Sequence, residues 1–420
     1  HLFNMLQELT YGSSTDANVT ISGAIGGSTS LNGLTVTSGS SDTTISGGVT
    51  TTGNIQIEGA SLTINAPLDA GSANIQLTST TAITQTAALT ADGLLLSGAG
   101  DVTLTNATNA IGTLAANGAG ALSFLNANAF EIGTVAATSG ISASGEINIA
   151  SESGNLTISQ DLQTTSTSAN ALMLNAGRAT AAGTATGGNL ILSGSPTLST
   201  GSGGSIHLYT GSISGSTGVA ELVGSGSGNF RYNSDETTTN FTTALATAAT
   251  SAIYREQPSA NITDMTLSMV YGDALPDITA TGTVNGDGSS YTITGRVDSS
   301  SGNVAASGSP YTIENSLSAL GYSVTGTSSG TLTVTPKALD IGGLTADDKT
   351  YDGTTDANLS GTAALSDGGS SSSDGLYLTG DTVSLTGTET GSFDDANVDA
   401  ATTVSVTGLS LAGADAGNYS

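Results

Sequence analysis

One phrase recurs along the first half of the chain: glycine, a small or polar residue, then aliphatic, polar, aliphatic. It reads Gly53-Asn54-Ile55-Gln56-Ile57, Gly100-Asp101-Val102-Thr103-Leu104, Gly120-Ala121-Leu122-Ser123-Phe124, Gly145-Glu146-Ile147-Asn148-Ile149 and Gly154-Asn155-Leu156-Thr157-Ile158, with further copies at Gly188 and Gly204. Alternation with period two sends both aliphatics to one face of a short strand and the polar residue to the other, and the glycine permits the corner that starts it. Ile55, Ile75 and Leu94 or Leu95 lie about twenty residues apart, as do Val102 and Leu122, whereas the shorter step from Ile147 to Leu156 joins adjacent sides of one turn. One such turn cannot bury enough apolar surface to offset the conformational entropy of its backbone, so neighbouring turns have to share a core and pair in parallel. The spacing therefore predicts an all-β fold that begins as a parallel β-helix, with the phrase running from about Val19 to Leu208.

Beyond Pro258 the pattern changes to longer alternating strands divided by Asn-Gly, Asp-Gly and Ser-Gly turns, which predicts small antiparallel β-sandwich modules of immunoglobulin-like type. Two of them open alike, Val270-Tyr271-Gly272-Asp273 and Thr350-Tyr351-Asp352-Gly353, with Leu332-Thr333-Val334-Thr335-Pro336-Lys337-Ala338-Leu339 between them. Between Gly224 and Pro258 the aliphatic spacing fails and Arg231, Tyr232, Tyr254 and Arg255 gather. A solenoid end exposes an apolar rung with unpaired backbone, so this segment reads as its cap. Thr239 to Ala252 suits either a short Ala/Thr helix or an extended cover. The expected boundaries are a shaft over 1–223, a cap and connector over 224–258, one β-module over 259–337 and a second over 338–420.

Composition narrows the function classes. With 420 residues the chain is too long for one ordinary core, and charged residues make up only 10%, against the usual ~25%. Few charges beside 37% hydrophobic residues argue against disorder, and scarce helix formers beside abundant Thr, Val and Ile argue for β structure. Six basic against 34 acidic side chains leave a net charge of -28, a poor surface for nucleic acid or anionic membrane, whose phosphates need Lys and Arg. Without cysteine there are neither disulfides nor thiolate metal sites, and no apolar run approaches the length of a membrane span. The opening His1-Leu2-Phe3-Asn4 has neither an initiator Met nor a signal peptide and reads as an internal piece of something longer.

The run from Ile111-Gly112-Thr113-Leu114 through Leu122-Ser123-Phe124-Leu125-Asn126 to Glu131-Ile132-Gly133-Thr134-Val135 and Gly140-Ile141-Ser142-Ala143 resembles the shaft of filamentous-haemagglutinin-like bacterial adhesins. Gly224-Ser225-Gly226-Ser227-Gly228-Asn229-Phe230-Arg231-Tyr232 with Ala252-Ile253-Tyr254-Arg255-Glu256-Gln257-Pro258 resembles the end of such a shaft. The module opening at Val270-Tyr271-Gly272-Asp273 resembles the MBG module. The one holding Asp347-Asp348-Lys349-Thr350-Tyr351-Asp352-Gly353-Thr354-Thr355 and ending Ala414-Asp415-Ala416-Gly417-Asn418-Tyr419 resembles the YDG repeat. The resemblance implies a right-handed β-helix, secretion to the bacterial surface through an outer-membrane partner, and a fibre serving adhesion, biofilm matrix or filament formation. Its partners would be a glycan or protein receptor on a host, a bacterium or a matrix, and other copies of itself.

Candidate chemistry is sparse. His207 occupies the polar slot of its strand with no second His or Cys nearby in sequence, and Gly224 to Gly228 lacks the Lys and helix of a phosphate loop. Asp395, Asn397 and Asp399, preceded by Asp394, copy the first ligand positions of a calcium loop, although Ala400 and Val406 stand where that loop needs Gly and Glu. Calcium is the one cofactor this pattern admits; a solvated acidic loop is the alternative. Carboxylates such as Asp92, Asp101, Glu131 and Glu146 are scattered, with Arg178 the one basic residue between His1 and His207, so the chain is expected not to be an enzyme, with a polysaccharide-active β-helix as the alternative. Lys337 and Lys349 are expected as exposed or salt-bridged lysines rather than isopeptide partners. Asn54, Asn74, Asn155 and Asn189 precede strands, where stacked side-chain amides can bond to one another and to corner backbone from turn to turn. The second module reaches Gly417-Asn418-Tyr419-Ser420, matching Gly321-Tyr322-Ser323 of the first, without the strand that follows in the first, and so is expected to leave an unpaired edge and an exposed apolar groove.

Overall fold

The structure, a computed structural model, describes residues 8–12, 17–26, 31–262, 266–279, 290–292, 304–314, 317–326 and 329–420. The chain is all-β: a parallel β-solenoid of about 11 turns over residues 9–253, then small antiparallel sheets. The Asn-Gly and Asp-Gly turns expected at 285–288, and His1, lie outside the described residues.

The solenoid is two long columns of aliphatics. One runs Leu9, Leu34, Ile55, Ile75, Leu94, Leu114, Ile132, Ile158, Leu192, each opposite the next in parallel register. The other runs Val19, Thr43, Leu62, Ile83, Val102, Leu122, Ile147, Leu172, Ile206, Thr250. From Leu34 to Leu192 and from Val19 to Ile206 every column member is buried, and both aliphatic or aromatic positions of the phrases at Gly53, Gly100, Gly120, Gly145 and Gly154 are among the core. Parallel strands at ~4.8 Å spacing stack like on like, so each aliphatic packs against its counterpart one turn away. Where the outer side is itself apolar, at Leu95 and Ala115, the two-stranded hairpin Thr134–Val135 with Thr138–Ser139 lays Val135 over it.

Corner asparagines and aspartates hold the turns in register, although not as stacked amides. Asn54 Oδ1 accepts from the backbone N–H of Asn74 (3.1 Å), Asn155 Oδ1 from that of Asn189 (2.9 Å), Asp101 Oδ1 from that of Ala121 (2.8 Å) and Asp161 Oδ1 from that of Thr197 (2.7 Å). Of the two bonds expected of these amides, the one to corner backbone is the one formed at Asn54 and Asn155. A short residue at a corner reaches the neighbouring turn's first N–H more directly than it reaches another side chain.

Segment 224–258 is more than a cap. Phe230–Arg231 and Thr250–Tyr254 are strands of the solenoid sheet, the latter pairing in parallel with Ile206–Thr210. The ladder therefore runs about thirty residues past the boundary expected at residue 223. Capping comes from an aromatic stack, with Tyr232 and Tyr254 rings 5.6 Å apart and Tyr322 edge-on to Tyr232 at 4.6 Å. No helix forms over 239–249; the helical turn is Val219–Val223, too short to leave a periodic signal.

In the remainder, Tyr311–Glu314 runs antiparallel to Ser329–Thr335, but Thr266–Val270 pairs with that same strand in parallel. The antiparallel sheet expected here thus carries one parallel pairing. Its core is Met269, Tyr311, Ile313, Leu332 and Val334. Over 338–420, Gly342–Ala346 pairs with Leu359–Ala364, and the long hairpin Ser384–Phe393 with Val404–Ala412 takes the short strand Asp356–Ala357 on its edge. Residues 418–420 are not an unpaired edge: Lys337 N–H donates to Asn418 O (3.0 Å), Ser420 N–H to Lys337 O and Leu339 N–H to Ser420 O (both 2.9 Å). The expected apolar groove is present, about 380 Å³ between Leu339, Ile341, Leu385, Leu409 and Leu411, with Ile341 47% exposed.

Candidate functional site

The two stretches of 338–420 that carry chemical interest in the sequence meet in the fold. The loop from Asp347 to Thr355 leaves the strand Gly342–Ala346, and the loop from Asp394 to Thr403 closes the long hairpin. They are stitched by Phe393 N–H donating to Thr355 O (2.7 Å) and by Asp356–Ala357 pairing with Gly391 and Ser392. Between them lies a cleft of about 280 Å³, lined among others by Lys349, Tyr351, Phe393, Asp395 and Val398. Tyr351 is 63% and Val398 73% exposed, so an aromatic and an aliphatic side chain stand in solvent at its rim.

Lys349 builds the first loop. Its Nζ donates to Asp352 Oδ1 (2.8 Å), Thr354 Oγ1 (2.7 Å), Thr354 O (3.1 Å) and Asp356 O (2.8 Å). The hydrogen bond from Lys349, with that from Thr354 N–H, pulls the Asp352 carboxyl down to about 2. Gly353, at φ +79°, takes the left-handed corner this wrapping needs. The Tyr-Asp-Gly sequence is therefore a turn tied around one lysine, with the tyrosine left outside.

The second loop spends its acids on itself. Asp394 accepts at Oδ1 from Thr402 N–H (2.9 Å) and Thr403 N–H (3.2 Å) and at Oδ2 from both hydroxyls (2.8 and 3.0 Å), which holds its carboxyl well below the usual range. Asp395 Oδ1 accepts from Asn397 N–H and Nδ2. Asp399 points to solvent. Among the described residues no three His, Cys, Asp or Glu side chains converge to hold a metal, so the calcium-loop residues Asp394, Asp395, Asn397 and Asp399 are not gathered into a ligand set. Their spacing serves an Asp-capped turn instead.

A second polar assembly, unmarked in the sequence, lies in the same body. Asp381 Oδ2 accepts from Tyr271 Oη (2.8 Å) and Tyr419 Oη (2.6 Å), whose rings meet edge-on at 5.4 Å, while Tyr419 Oη accepts from Leu378 N–H (2.9 Å). Burial and the adjoining carboxylate push the Tyr419 phenol up strongly. Asn418 Oδ1 accepts from Ala306 N–H (2.9 Å). Lys337, 0% exposed, sets its ammonium 2.7 Å from Asp374 Oδ1. It is salt-bridged, as one of the two expected states, but not exposed. Asp374, held well below its usual range by Lys337 and by the N–H groups of Ser370, Leu376 and Ser371, stays ionised.

In the solenoid, His207 lies half-buried on the outer side of Ile206–Thr210, and burial lowers its pKa. Arg231 donates to Thr243 O (2.8 Å), Ala244 O (2.5 Å) and Gly228 O (2.8 Å), and Arg255, fully buried, donates to Ala176 O (2.7 Å) and Asn175 Oδ1. These arginines anchor the last turns. No helix among the described residues is long and apolar enough to cross a membrane.

Residues 335–420 match the YDG domain family. The chain is thus a β-solenoid followed by a YDG domain. No curated protein and no solved structure matches it.

Proposed function

We propose that this chain is a segment of a secreted bacterial surface fibre. The solenoid would be the shaft of a filamentous-haemagglutinin-like adhesin, residues 259–337 an MBG-like module and the YDG domain the next module of a series. It works without turnover, through reach and attachment in adhesion or biofilm matrix, and reaches the surface through an outer-membrane secretion partner. The observation that carries this reading is the continuous buried ladder of about 11 parallel turns in the same chain as a YDG domain. At ~4.8 Å per turn such a ladder is a stiff rod of about 50 Å that grows with every repeat added. The exposed Tyr351 and Val398 at the YDG cleft supply a contact surface of aromatic and aliphatic type.

The test is retention of fluorescent beads carrying the purified chain on bacterial biofilm and on epithelial cell layers, counted against beads carrying an unrelated acidic protein. Retention above that control is expected, lowered by Tyr351→Ser, with no reducing ends released from added polysaccharides. Beads that wash off both surfaces like the control, or reducing ends that accumulate, would overturn the reading.

A further inference from the structure

The solenoid's longer turns build something on its flank. Along one column the step is 20 residues from Val102 to Leu122, 25 to Ile147 and 25 to Leu172, then 34 to Ile206 and 44 to Thr250. Two of the extra segments, 177–189 and 233–249, are tied by Ala182 N–H donating to Asp235 Oδ2 (2.8 Å), and Gly183 N–H donates to Arg255 O (2.8 Å) just beyond the strand Thr250–Tyr254. From this tied edge Arg178 and Glu236 reach over the outer side of the sheet. Arg178 Nε lies 3.4 Å from Glu236 Oε1 and its NH1 3.7 Å from Glu152 Oε1, while Asn175 Nδ2 donates to Glu236 Oε2 (2.9 Å).

Beneath them is a cleft of about 470 Å³. Its floor is a column of outward side chains on three successive rungs, Ser123, Asn148 and Met173, flanked by Leu125 and Ala150 of the adjoining column. Volumes of ~300–1,000 Å³ with an apolar surface and a few convergent polar groups are those of small-molecule sites. Arg178 is the only lysine or arginine before residue 231, and it sits at this mouth.

We propose that this cleft binds a neutral oligosaccharide. Charge selects the class. An anion entering it meets Glu152 and Glu236 and a chain of net charge -28; a cation meets Arg178. A neutral polyol is served by both members of the pair at once, one hydroxyl accepting from the guanidinium and its neighbour donating to the carboxylate. Asn148, exposed in the middle of the floor, offers a donor and an acceptor. The half-buried Met173 thioether offers apolar surface to the C–H face of a ring. The rungs repeat at ~4.8 Å, about the span of one pyranose ring, so a short glycan lying along the solenoid axis meets a new floor residue at each sugar. This goes beyond the fibre reading above and uses residues remote in sequence from the YDG cleft.

The experiment is saturation-transfer NMR on the full chain with maltose, cellobiose, lactose and mannobiose as separate probes and galacturonic acid as the charged one. Transfer to at least one neutral disaccharide is expected, weakened about tenfold in Kd by Asn148→Ala and by Arg178→Ala, with an unchanged circular dichroism spectrum and unfolding midpoint. Galacturonic acid should show none. Absence of transfer from all four neutral probes, transfer that survives both substitutions unchanged, or galacturonic acid binding as well as the disaccharides would overturn the proposal. Loss of bead retention on Tyr351→Ser bears on the YDG cleft alone and leaves this outcome independent.

Discussion

The solenoid and the YDG domain are both β structure written in the same glycine-rich, acidic alphabet, yet they are held together by different means. In the solenoid nearly every inward position is an aliphatic that stacks on its copy one turn away, and the load is spread over columns eight and more residues long. In the YDG domain the long hairpin Ser384–Phe393 with Val404–Ala412 buries no residue at all. Beside Ala357, Leu378 and Tyr419, what is buried there is a handful of polar anchors: Lys337 on Asp374, Asp381 between two tyrosines, and Asn418 capping Ala306. Collective apolar burial tolerates a missing loop contact but not a charge. A few buried polar links tolerate loose strands but not the loss of one partner.

The contrast can be broken in order of size. Ile147→Asp, which puts an unpaired charge into the column between Leu122 and Leu172, is expected to cost about 4 kcal/mol and open the neighbouring turns. An unmoved denaturant midpoint would mean that the columns do not carry the stability. Lys337→Met strips Asp374 of its partner, and because Asp374 keeps some solvent the loss is expected near 2 kcal/mol, read as faster hydrogen exchange over 335–420. Unchanged exchange would remove the ion pair from the list of anchors. Tyr419→Phe deletes one donor to Asp381 and the acceptor for Leu378 N–H, at about 1–2 kcal/mol in the same readout.

The smallest effect is acid. Asp352 titrates at about 2 and Asp394 is also held low, both beneath the ~3.9 of an unfolded aspartate. A depressed folded pKa contributes stability that is fully present above about pH 4 and is lost as pH falls toward 2. Amide resonances of Thr354, Thr402 and Thr403 should therefore move first on acidification, before the solenoid core amides of Ile147 and Leu172. Simultaneous movement would show that the loop carboxylates are not the groups that respond.

The columns were legible in the sequence because their pattern is local and repeated: period two within a strand and about twenty between Ile55, Ile75 and Leu94 give the inward set directly. The last turns were not, since the step stretches to 34 and then 44 residues and Ala252-Ile253-Tyr254 has no glycine phrase ahead of it. The loops meeting at the YDG cleft were visible one at a time, but not their meeting, which rests on the pairing of Asp356–Ala357 with a strand more than thirty residues away. In the sequence the carboxylates of Asp394 and Asp395 suit an acidic turn and a calcium loop alike. Only geometry shows that threonine hydroxyls and backbone N–H groups already occupy Asp394. Nothing local marks Asp381, Tyr271 and Lys337 for burial, because their partners are far along the chain.

Four corner bonds of the solenoid share a direction, while Asn109 Oδ1, which accepts from Leu89 N–H (3.0 Å), runs the other way. In each of the four the acceptor belongs to the earlier turn and the donor to the later one: Asn54 to Asn74, Asp101 to Ala121, Asn155 to Asn189, Asp161 to Thr197. A finished turn thus holds out a fixed oxygen at the place where the next turn must start. At these four corners the earlier turn is the template for the later one. Turns can be laid down one after another as residues arrive, each seated by the turn before it, with no need for the far end of the coil to be present.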